Sequence, residues 1–568
     1  MEDITSVRRF TKLIYSQREV LWPLYLYSAV ASIISLSLPL GIQAIINLIM
    51  SGRVTTSFFV LVIIVALGYG LTGYIQILQL NISELLQRRI FTKSTFEFAY
   101  RIPRMQLMAL RKNYTPELVN RFFDTLTIQK YLPKVLIDFA SSGFQIVVGL
   151  VLIAFYHPFF IIFGFLSVLL IVGLVYLIGP AGLKTALKES KYKYETAHWL
   201  EEIARNIVTF KLAKDSNMPL EKANENTENY LGARARHYKT LLVHYYSLLF
   251  FKILISGSFL LIGGLLVINQ QMNIGQFVAA EIIIIIILSA VEKLILNIDS
   301  VYSILTAIEK IGAVTDIPLD REGSPGLDLS GENGLSIKLD NLSIRFPDAK
   351  YNSIHKINLN INSGERVLIV GRSGSGKTTL LQLISGMYED YTGLIKINEI
   401  PLKNINIYNY RSKTGDSIAG ETIFEGTILD NITMGRNISI NRVIGVLRHL
   451  EVLEYMEEQG FYLDSRIITG GMNLSSKMKS AIIFARCIAH RPLLMLHDET
   501  AHTVDKIDYP AMLTALLRLP HHYTMIATSN STRNAHLYER VIFMENGSIS
   551  SDLPYESACR QQWFKDLN

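Results

Sequence analysis

A glycine-rich segment from Gly371 to Thr378 contains residues that could bind phosphate. Its pattern, Gly-x-x-x-x-Gly-Lys-Thr, follows an apolar run, residues 367–370, and precedes an apolar helical pattern. In such a loop the glycines let the backbone approach phosphate oxygens, and the N–H groups at the helix start bind the anion. Lys377 would hold the β- and γ-phosphates of a nucleoside triphosphate, and the Thr378 hydroxyl would reach Mg²⁺. The predicted nucleotide-binding residues of this loop are Gly371, Ser373, Gly374, Ser375, Gly376, Lys377, Thr378 and Thr379.

Two adjacent carboxylates, Asp498 and Glu499, follow a second apolar run, residues 493–496. A carboxylate at the end of a buried strand is well placed to hold Mg²⁺ beside a phosphate loop, and its neighbour can orient or deprotonate the attacking water. The pair alone could be a solvated strand end, but its combination with the phosphate loop favours catalysis. The predicted catalytic residues are Glu499, Asp498 and Lys377, and the predicted metal ligands are Thr378 and Asp498.

These motifs require alternating strands and helices, so we assign residues 336–568 to an α/β nucleotide-binding domain of the phosphate-loop type. Residues 317–335 are rich in Gly, Pro, Ser and Asp and are predicted to form a linker. The chain has 568 residues, of which 49% are hydrophobic and 18% are charged. A chain of this length is too long for a single hydrophobic core, so at least two domains are expected. Long uncharged stretches all precede the linker, so residues 1–316 are expected to form a different class of domain from residues 336–568.

Residues 1–316 contain apolar stretches of the length that crosses a bilayer, which is about 20 residues. Uncharged stretches cover residues 20–52, 54–83 and 139–183. The third is interrupted by His157-Pro158, which predicts a tight hairpin between two spans. Two further spans are predicted at 241–267 and 274–296. The prediction is an all-α transmembrane domain with six helices.

Lysine and arginine placement predicts the orientation of these spans. Basic residues cluster before the first span and after the second and fourth, whereas the other connections carry only Arg53. Both termini are therefore predicted to be cytoplasmic, in a bacterial inner (plasma) membrane. Two long intracellular excursions, 85–135 and 182–240, are predicted to be helices that continue out of the bilayer.

Two ionisable residues lie within predicted spans. Glu281 could line a translocation cavity, because carboxylates in lipid are costly and face the bundle interior. It could instead anchor a helix end. Lys252 could likewise line the cavity or extend towards the interface. The sequence leaves both alternatives open.

The net charge of +6 could indicate nucleic-acid binding, but the basic residues lie beside apolar spans and are explained by membrane topology. We therefore expect contact with membrane lipid and no nucleic-acid partner. The only cysteines, Cys487 and Cys559, form neither a disulfide framework nor a metal-ligand pattern.

The order of these motifs resembles that of ATP-binding cassette (ABC) exporters across nearly the whole chain. In that family an aromatic residue stacks on adenine, and Phe346 stands at the matching place. Asp505 matches an aspartate that follows the catalytic pair. Ser475 matches the serine of the family's signature motif. The resemblance implies ATP and Mg²⁺ as cofactors and an ATPase coupled to transport. Residues 39–43 and 274–279 look like the type I secretion and bacteriocin export subgroup, without the peptidase domain that some members carry.

Three motifs depart from the family. The signature Leu-Ser-Gly-Gly-Gln is replaced by Leu474-Ser475-Ser476-Lys477-Met478, so side chains stand where glycines allow close backbone approach. Ala419 stands in place of a metal- and water-contacting glutamine, and Thr528 in place of the switch histidine. Losing such contacts typically costs ~10²–10³ in rate, so slow hydrolysis is expected.

The resemblance also implies a dimer, in which each nucleotide site pairs one chain's phosphate loop with the other chain's signature. The expected partner is a second half-transporter, in a homodimer or heterodimer, and a periplasmic adaptor is a further candidate. The predicted function is ATP-dependent export, with a peptide or protein as substrate. The alternative is an ATP-binding, poorly hydrolysing regulatory or scaffold subunit of a transporter or secretion complex.

Overall fold

The computed structural model describes residues 6–50, 56–111, 115–213, 216–323, 334–418, 422–499, 509–519 and 522–567. The chain divides into two compact units. The first unit comprises Met1–Pro103 and Asn113–Ile317, and the second comprises Arg104–Lys112 and Pro318–Asn568. Ala419, Asp505, Arg53 and linker residues 324–333 lie outside the described residues.

The first unit is helical. Its helices are α1 (Ser6–Ser16), α2 (Arg18–Met50), α3 (Thr56–Arg101), α5 (Thr115–Asn120), α6 (Asp124–Ala154), α7 (Phe159–Arg205), α8 (Ile207–Leu212), α9 (Met218–Ile268), α10 (Ile274–Leu296) and α11 (Ile298–Thr315). The tight hairpin is confirmed, because α6 ends at Ala154 and α7 begins at Phe159, immediately after His157-Pro158. Helices also continue into both predicted excursions, since α3, α7 and α9 all extend well beyond the apolar stretches. The intracellular placement of these excursions stays a prediction.

Five helices in the described part of the chain are long and apolar enough to cross a membrane: α2, α3, α6, α9 and α10, of which α3, α6 and α10 are counted together with flanking residues. In α7 the described apolar segment is Phe159–Leu170, which is shorter. The sixth span therefore stays a prediction. Large apolar side chains on these helices are exposed, such as Leu67 and Phe165, as expected for surfaces that face lipid.

Polar side chains within the helical unit pair with one another. The Lys252 ammonium of α9 lies 2.7 Å from a carboxylate oxygen of Glu292 in α10. Neither interpretation of Lys252 from sequence included this partner. Glu281 is half-buried, and a role in lining a cavity stays a prediction.

The second unit contains two main sheets with helices around them. Its strands are β1 (Ile337–Ile344), β2 (Ile354–Ile361), β3 (Arg366–Val370), β4 (Thr392–Ile397), β5 (Ile400–Pro401), β6 (Thr414–Ser417), β7 (Gly426–Thr427), β8 (Arg466–Ile467), β9 (Leu494–Asp498), β10 (Thr524–Ser529), β11 (Arg540–Glu545) and β12 (Ser548–Pro554). Its helices are α4 (Leu107–Leu110), α12 (Lys377–Ile384), α13 (Ile407–Ser412), α14 (Ile428–Thr433), α15 (Ile440–His449), α16 (Leu453–Glu458), α17 (Ser476–Ala489), α18 (Tyr509–Leu517), α19 (Tyr555–Ala558) and α20 (Gln562–Asp566).

The larger sheet has the strand order β12-β11-β3-β10-β9-β6, and the strands from β11 to β6 are parallel. Its central strands are buried on both faces: Val367 and Ile369 belong to one hydrophobic cluster, and Leu368 and Val370 to another. Parallel strands bring their carboxyl ends to one edge of the sheet, and ligands bind in the crevice outside that edge. The segments that follow β3, β9 and β10 therefore meet there.

Candidate nucleotide site

The phosphate loop connects β3 to α12 as the sequence predicts. Gly376 precedes α12 with φ = 99°, in the left-handed region that favours glycine. A side chain at Gly376 would also place its Cβ 2.7 Å from the Ser353 carbonyl oxygen. Glycine is thus required here by both backbone conformation and space. N–H groups at the start of a helix such as α12 can bind an anion.

Lys377 is the first residue of α12 and is almost fully buried. Its ammonium donates hydrogen bonds to the carbonyl oxygens of Gly371 (2.7 Å) and Arg372 (2.9 Å) and to the Ser375 hydroxyl (3.2 Å). Burial lowers the pKa of Lys377, and the nearby Asp498 carboxylate opposes this effect. The phosphate loop therefore wraps around the Lys377 ammonium and holds this positive charge where phosphate oxygens would bind.

Thr378 and Asp498 meet across the sheet edge, since the Thr378 hydroxyl donates to a carboxylate oxygen of Asp498 at 2.6 Å. The other oxygen of Asp498 accepts from the Thr528 hydroxyl at 2.9 Å. Thr528 is the register partner of Asp498 in the neighbouring strand β10. A carboxylate and a hydroxyl are the oxygen ligands that Mg²⁺ takes beside a bound nucleotide. The converging Thr378 and Asp498 side chains therefore suit the predicted metal.

Glu499 follows Asp498 and is half-buried at the same edge. The Asn534 amide donates to one of its carboxylate oxygens at 3.1 Å. Burial raises the pKa of Glu499, and hydrogen bonds from Ser529 and Asn534 oppose the rise. The carboxylate is held in place by groups that follow β10. That arrangement suits a residue that orients water.

Lys377 and Thr378 line a cleft of about 550 Å³ beside the phosphate loop. It is lined by Tyr351, Asn352, Ser353, Ser373, Gly374, Gly376, Lys377, Thr378, Thr379, Asn530, Asn546 and Gly547. The lining thus combines the predicted loop residues with asparagines from other segments. The volume falls within the range of small-molecule sites, about 300–1,000 Å³.

Phe346 does not line this cleft. Its ring is 7% exposed and packs edge to face on Tyr388, with the Arg111 guanidinium 3.8 Å from the ring centre. Tyr351, in contrast, is 75% exposed and lines the cleft. Stacking of adenine on Phe346 stays a prediction.

Ser475 precedes α17 and caps that helix, because its hydroxyl accepts a hydrogen bond from the Met478 N–H at 3.3 Å. It is exposed and does not line the cleft beside the phosphate loop. Met478 is buried in the core, whereas Ser476 is exposed and the Lys477 ammonium lies over the Tyr455 ring. The altered signature therefore presents the side chains of Ser475, Ser476 and Lys477 at the protein surface.

Sequence analysis missed Asn534, Tyr351 and the bond between Thr528 and Asp498. Thr528 was noted only as a departure from histidine. The apolar run around Thr528 predicts a buried strand, and in a parallel sheet that strand can lie next to the one that ends in Asp498. No local pattern marks Asn534 or Tyr351.

Comparisons with known proteins agree with this geometry. The family model described as ABC transporter matches residues 354–502, and the one described as ABC transporter transmembrane region matches residues 24–291. The "ATP-dependent lipid A-core flippase" of Methylobacillus flagellatus is 24% identical over 45% of this chain and 43% of that protein. The "alpha-hemolysin translocation ATP-binding protein HlyB" of Escherichia coli O157:H7 is 24% identical over 51% of this chain and 41% of that protein. Each match spans less than half of the relative's length.

The fold also matches a solved structure described as a bacterial Atm1-family ABC exporter with ATP bound. The two share 17% sequence identity and a TM-score of 0.82 over 97% of this chain and 98% of the other. This likeness concerns the fold. It confirms the predicted combination of a helical transmembrane domain with an α/β nucleotide-binding domain.

The two family matches cover most of the chain, and the ABC transporter match over residues 354–502 contains the phosphate loop, Asp498 and Glu499. ATP with Mg²⁺ is the ligand of this domain family, and the oxygen donors of Thr378 and Asp498 fit it. The chain therefore belongs to the ABC transporters and combines the transmembrane region and the ATP-binding domain of that family in one polypeptide.

Proposed function

We propose that this chain is one half of an ATP-driven exporter that works as a dimer. The observation that carries the proposal is the convergence of Lys377, Thr378 and Asp498 at one sheet edge, next to Glu499. These are the groups needed to hold a triphosphate, a divalent cation and an attacking water. The same chain has a transmembrane region of the transporter family.

In this proposal Lys377 exchanges its bonds to the loop carbonyls for bonds to the β- and γ-phosphate oxygens. Thr378 and Asp498 would hold Mg²⁺, which would neutralise charge that develops on the phosphates. Glu499 accepts a proton from, or orients, the water that attacks the γ-phosphate. Binding of ATP between two such domains, one from each half-transporter, closes them together and drives the change of access in the membrane domain.

We further propose that hydrolysis is slow. Thr528 donates to Asp498, so its hydroxyl is engaged on the metal side and does not replace a cationic imidazole. Ser476 and Lys477 present side chains where the family has glycines, at the surface that would approach the partner's phosphates. Both changes weaken stabilisation of the transferring phosphoryl group.

The exposed Ser476 and half-buried Lys477 side chains also support the second candidate, an ATP-binding regulatory or scaffold subunit that hydrolyses little. Intact Glu499, held by Asn534, favours the exporter. ATPase activity of the purified full chain beside a Glu499→Gln variant separates the two. We expect the variant to lose most of the activity, whereas equal rates would contradict the exporter as an autonomous ATPase.

For the cargo we propose a peptide or protein. Support comes from residues 39–43 and 274–279, which resemble the type I secretion subgroup, and from a relative named for alpha-hemolysin translocation. Purified protein in vesicles should show ATPase stimulation by a peptide library and no stimulation by lipid A. The reverse result would assign the chain to lipid transport.

The proposed partners are a second half-transporter and a periplasmic adaptor, in a bacterial inner membrane with both termini cytoplasmic. Basic residues on one side of the spans support this orientation. Protease accessibility of tags at both termini in inverted vesicles tests it. Protection of either tag would contradict the proposed topology.

A further inference from the structure

The turn that follows β10 returns to the edge of the sheet where Glu499 lies. Asn534 donates its amide N–H to the Glu499 carboxylate at 3.1 Å, across 35 positions of sequence. Ser529, at the end of β10, also hydrogen-bonds to Glu499. Glu499, the proposed general base, is therefore held by hydrogen bonds from the end of β10 and the turn that follows it.

Thr528 is not available for this task. It is fully buried, and its hydroxyl donates to Asp498, not to Glu499. Thr528, which stands where the family has a histidine, thus donates its hydrogen bond to Asp498, the proposed metal ligand. Another residue has to orient Glu499 if that carboxylate is to direct water.

The turn that carries Asn534 is fixed at several points. Thr532 is buried, its N–H donates to the Leu567 carbonyl at 3.0 Å, and its hydroxyl donates to the Phe564 carbonyl at 2.9 Å. The N–H of Ala535, which is fully buried, donates back to the Thr532 carbonyl at 3.0 Å. A donor on such a supported turn presents its amide in a constant position, as a positioning group requires.

We propose that Asn534 is the positioning residue of Glu499 and takes the place of the absent histidine. This inference rests on the proposed function, in which Glu499 acts on the attacking water. The asparagine amide donates a hydrogen bond without gaining or losing a proton, so it orients the carboxylate and takes no part in proton transfer. Arg533, Asp498 and Tyr538 are the charged or titratable groups that also act on Glu499.

The test measures ATP hydrolysis by the full chain in its dimeric form, with Asn534→Ala and Asn534→Asp. A hydrogen bond to a charged group accounts for roughly a 10- to 100-fold effect. We expect kcat to fall by that factor for Asn534→Ala and further for Asn534→Asp, which brings two carboxylates together. The KM for ATP and the affinity for ATP should not change, because Asn534 does not line the nucleotide cleft. His536→Ala, an exposed change in the same turn, is the matched control and should hydrolyse like the wild type.

A structural role for Asn534 would give a different pattern. In a Glu499→Gln background, Asn534→Ala should cause no further loss of kcat, because both changes disable the same group. Unchanged kcat for Asn534→Ala, or a full additional loss in that background, would overturn the inference. If Glu499→Gln alone left hydrolysis unchanged, the assignment of the base in the proposed function would fail, and the inference with it.

Discussion

At the scale of single residues, the candidate site depends on how Asp498 is held. This carboxylate is fully buried, and its two oxygens accept hydrogen bonds from Thr378 and Thr528. Buried charge without hydrogen bonds is costly, so these donors keep the site folded in the absence of the metal. Thr528 therefore has a structural function that a comparison of motifs does not reveal.

Replacing Thr528 with valine should destabilise the ATP-binding domain by about 1–3 kcal/mol, because a buried carboxylate oxygen loses its donor. Thr528→Ser keeps the hydroxyl and should stay near the wild type. Thermal unfolding of the purified full chain measures both. Equal stability of the valine and serine variants would show that this bond contributes nothing.

His490, at the end of α17, predicts a pH dependence of stability. Burial, reinforced by the nearby Arg436, lowers its pKa from 6.5 to about 4. Its neutral ring accepts from Arg436 at 2.8 Å and donates to the Thr414 carbonyl at 3.1 Å. Between those pH values the unfolded chain binds a proton and the folded chain does not, so stability falls as pH drops from 6.5 towards 4.

The expected loss from His490 between pH 7 and pH 5.5 is about 1 kcal/mol in the free energy of unfolding. His490→Gln keeps a donor but does not titrate, and it should remove this part of the pH dependence. Thermal unfolding at the two pH values measures the difference. An unchanged slope in the variant would contradict the assignment.

At the scale of elements, local patterns were sufficient for β3, the phosphate loop and α12. A short apolar run, a glycine loop and a helical pattern are contiguous in sequence, and their geometry follows from the backbone. The long helices could be predicted in the same way, from uncharged stretches. Contacts between distant elements could not, because nothing local marks Asn534 as a partner of Glu499 or Glu292 as a partner of Lys252.

The ion pair between α9 and α10 gives a prediction at this scale. Both side chains are about one-third exposed, with Lys252 at 32% and Glu292 at 37%. Glu292→Lys places two cations together and should lower the stability of the solubilised protein by about 1–2 kcal/mol. The double variant Lys252→Glu/Glu292→Lys restores opposite charges and should recover most of the loss. Equal stability of the single and double variants would mean that the pair is not formed.

At the scale of the whole molecule, the proposed dimer would make each chain's signature part of its partner's nucleotide site. Ser476 and Lys477 lie at the surface, whereas Met478 is packed into the core. Of the three replaced signature residues, only Ser476 and Lys477 would therefore affect a nucleotide bound by the partner.

Removing those two side chains should accelerate hydrolysis. We expect Ser476→Gly/Lys477→Gly to raise the ATPase rate of the dimer roughly 10-fold or more, because the backbone can then approach the γ-phosphate. Ser476→Ala/Lys477→Ala retains both Cβ atoms and is the matched control, with a smaller gain. Equal rates in the glycine and alanine variants would show that close backbone approach does not limit this chain.

Lys377 and the adjoining metal site are proposed to capture a triphosphate, and direct binding tests this. Fluorescent ATP with Mg²⁺ is titrated into the purified full chain and into Lys377→Ala and Glu499→Gln variants. We expect the wild type and Glu499→Gln to bind with similar affinity, and Lys377→Ala to lose most of its binding. A folded wild-type chain that takes up no nucleotide, or a Lys377→Ala variant that binds as well as the wild type, would contradict it.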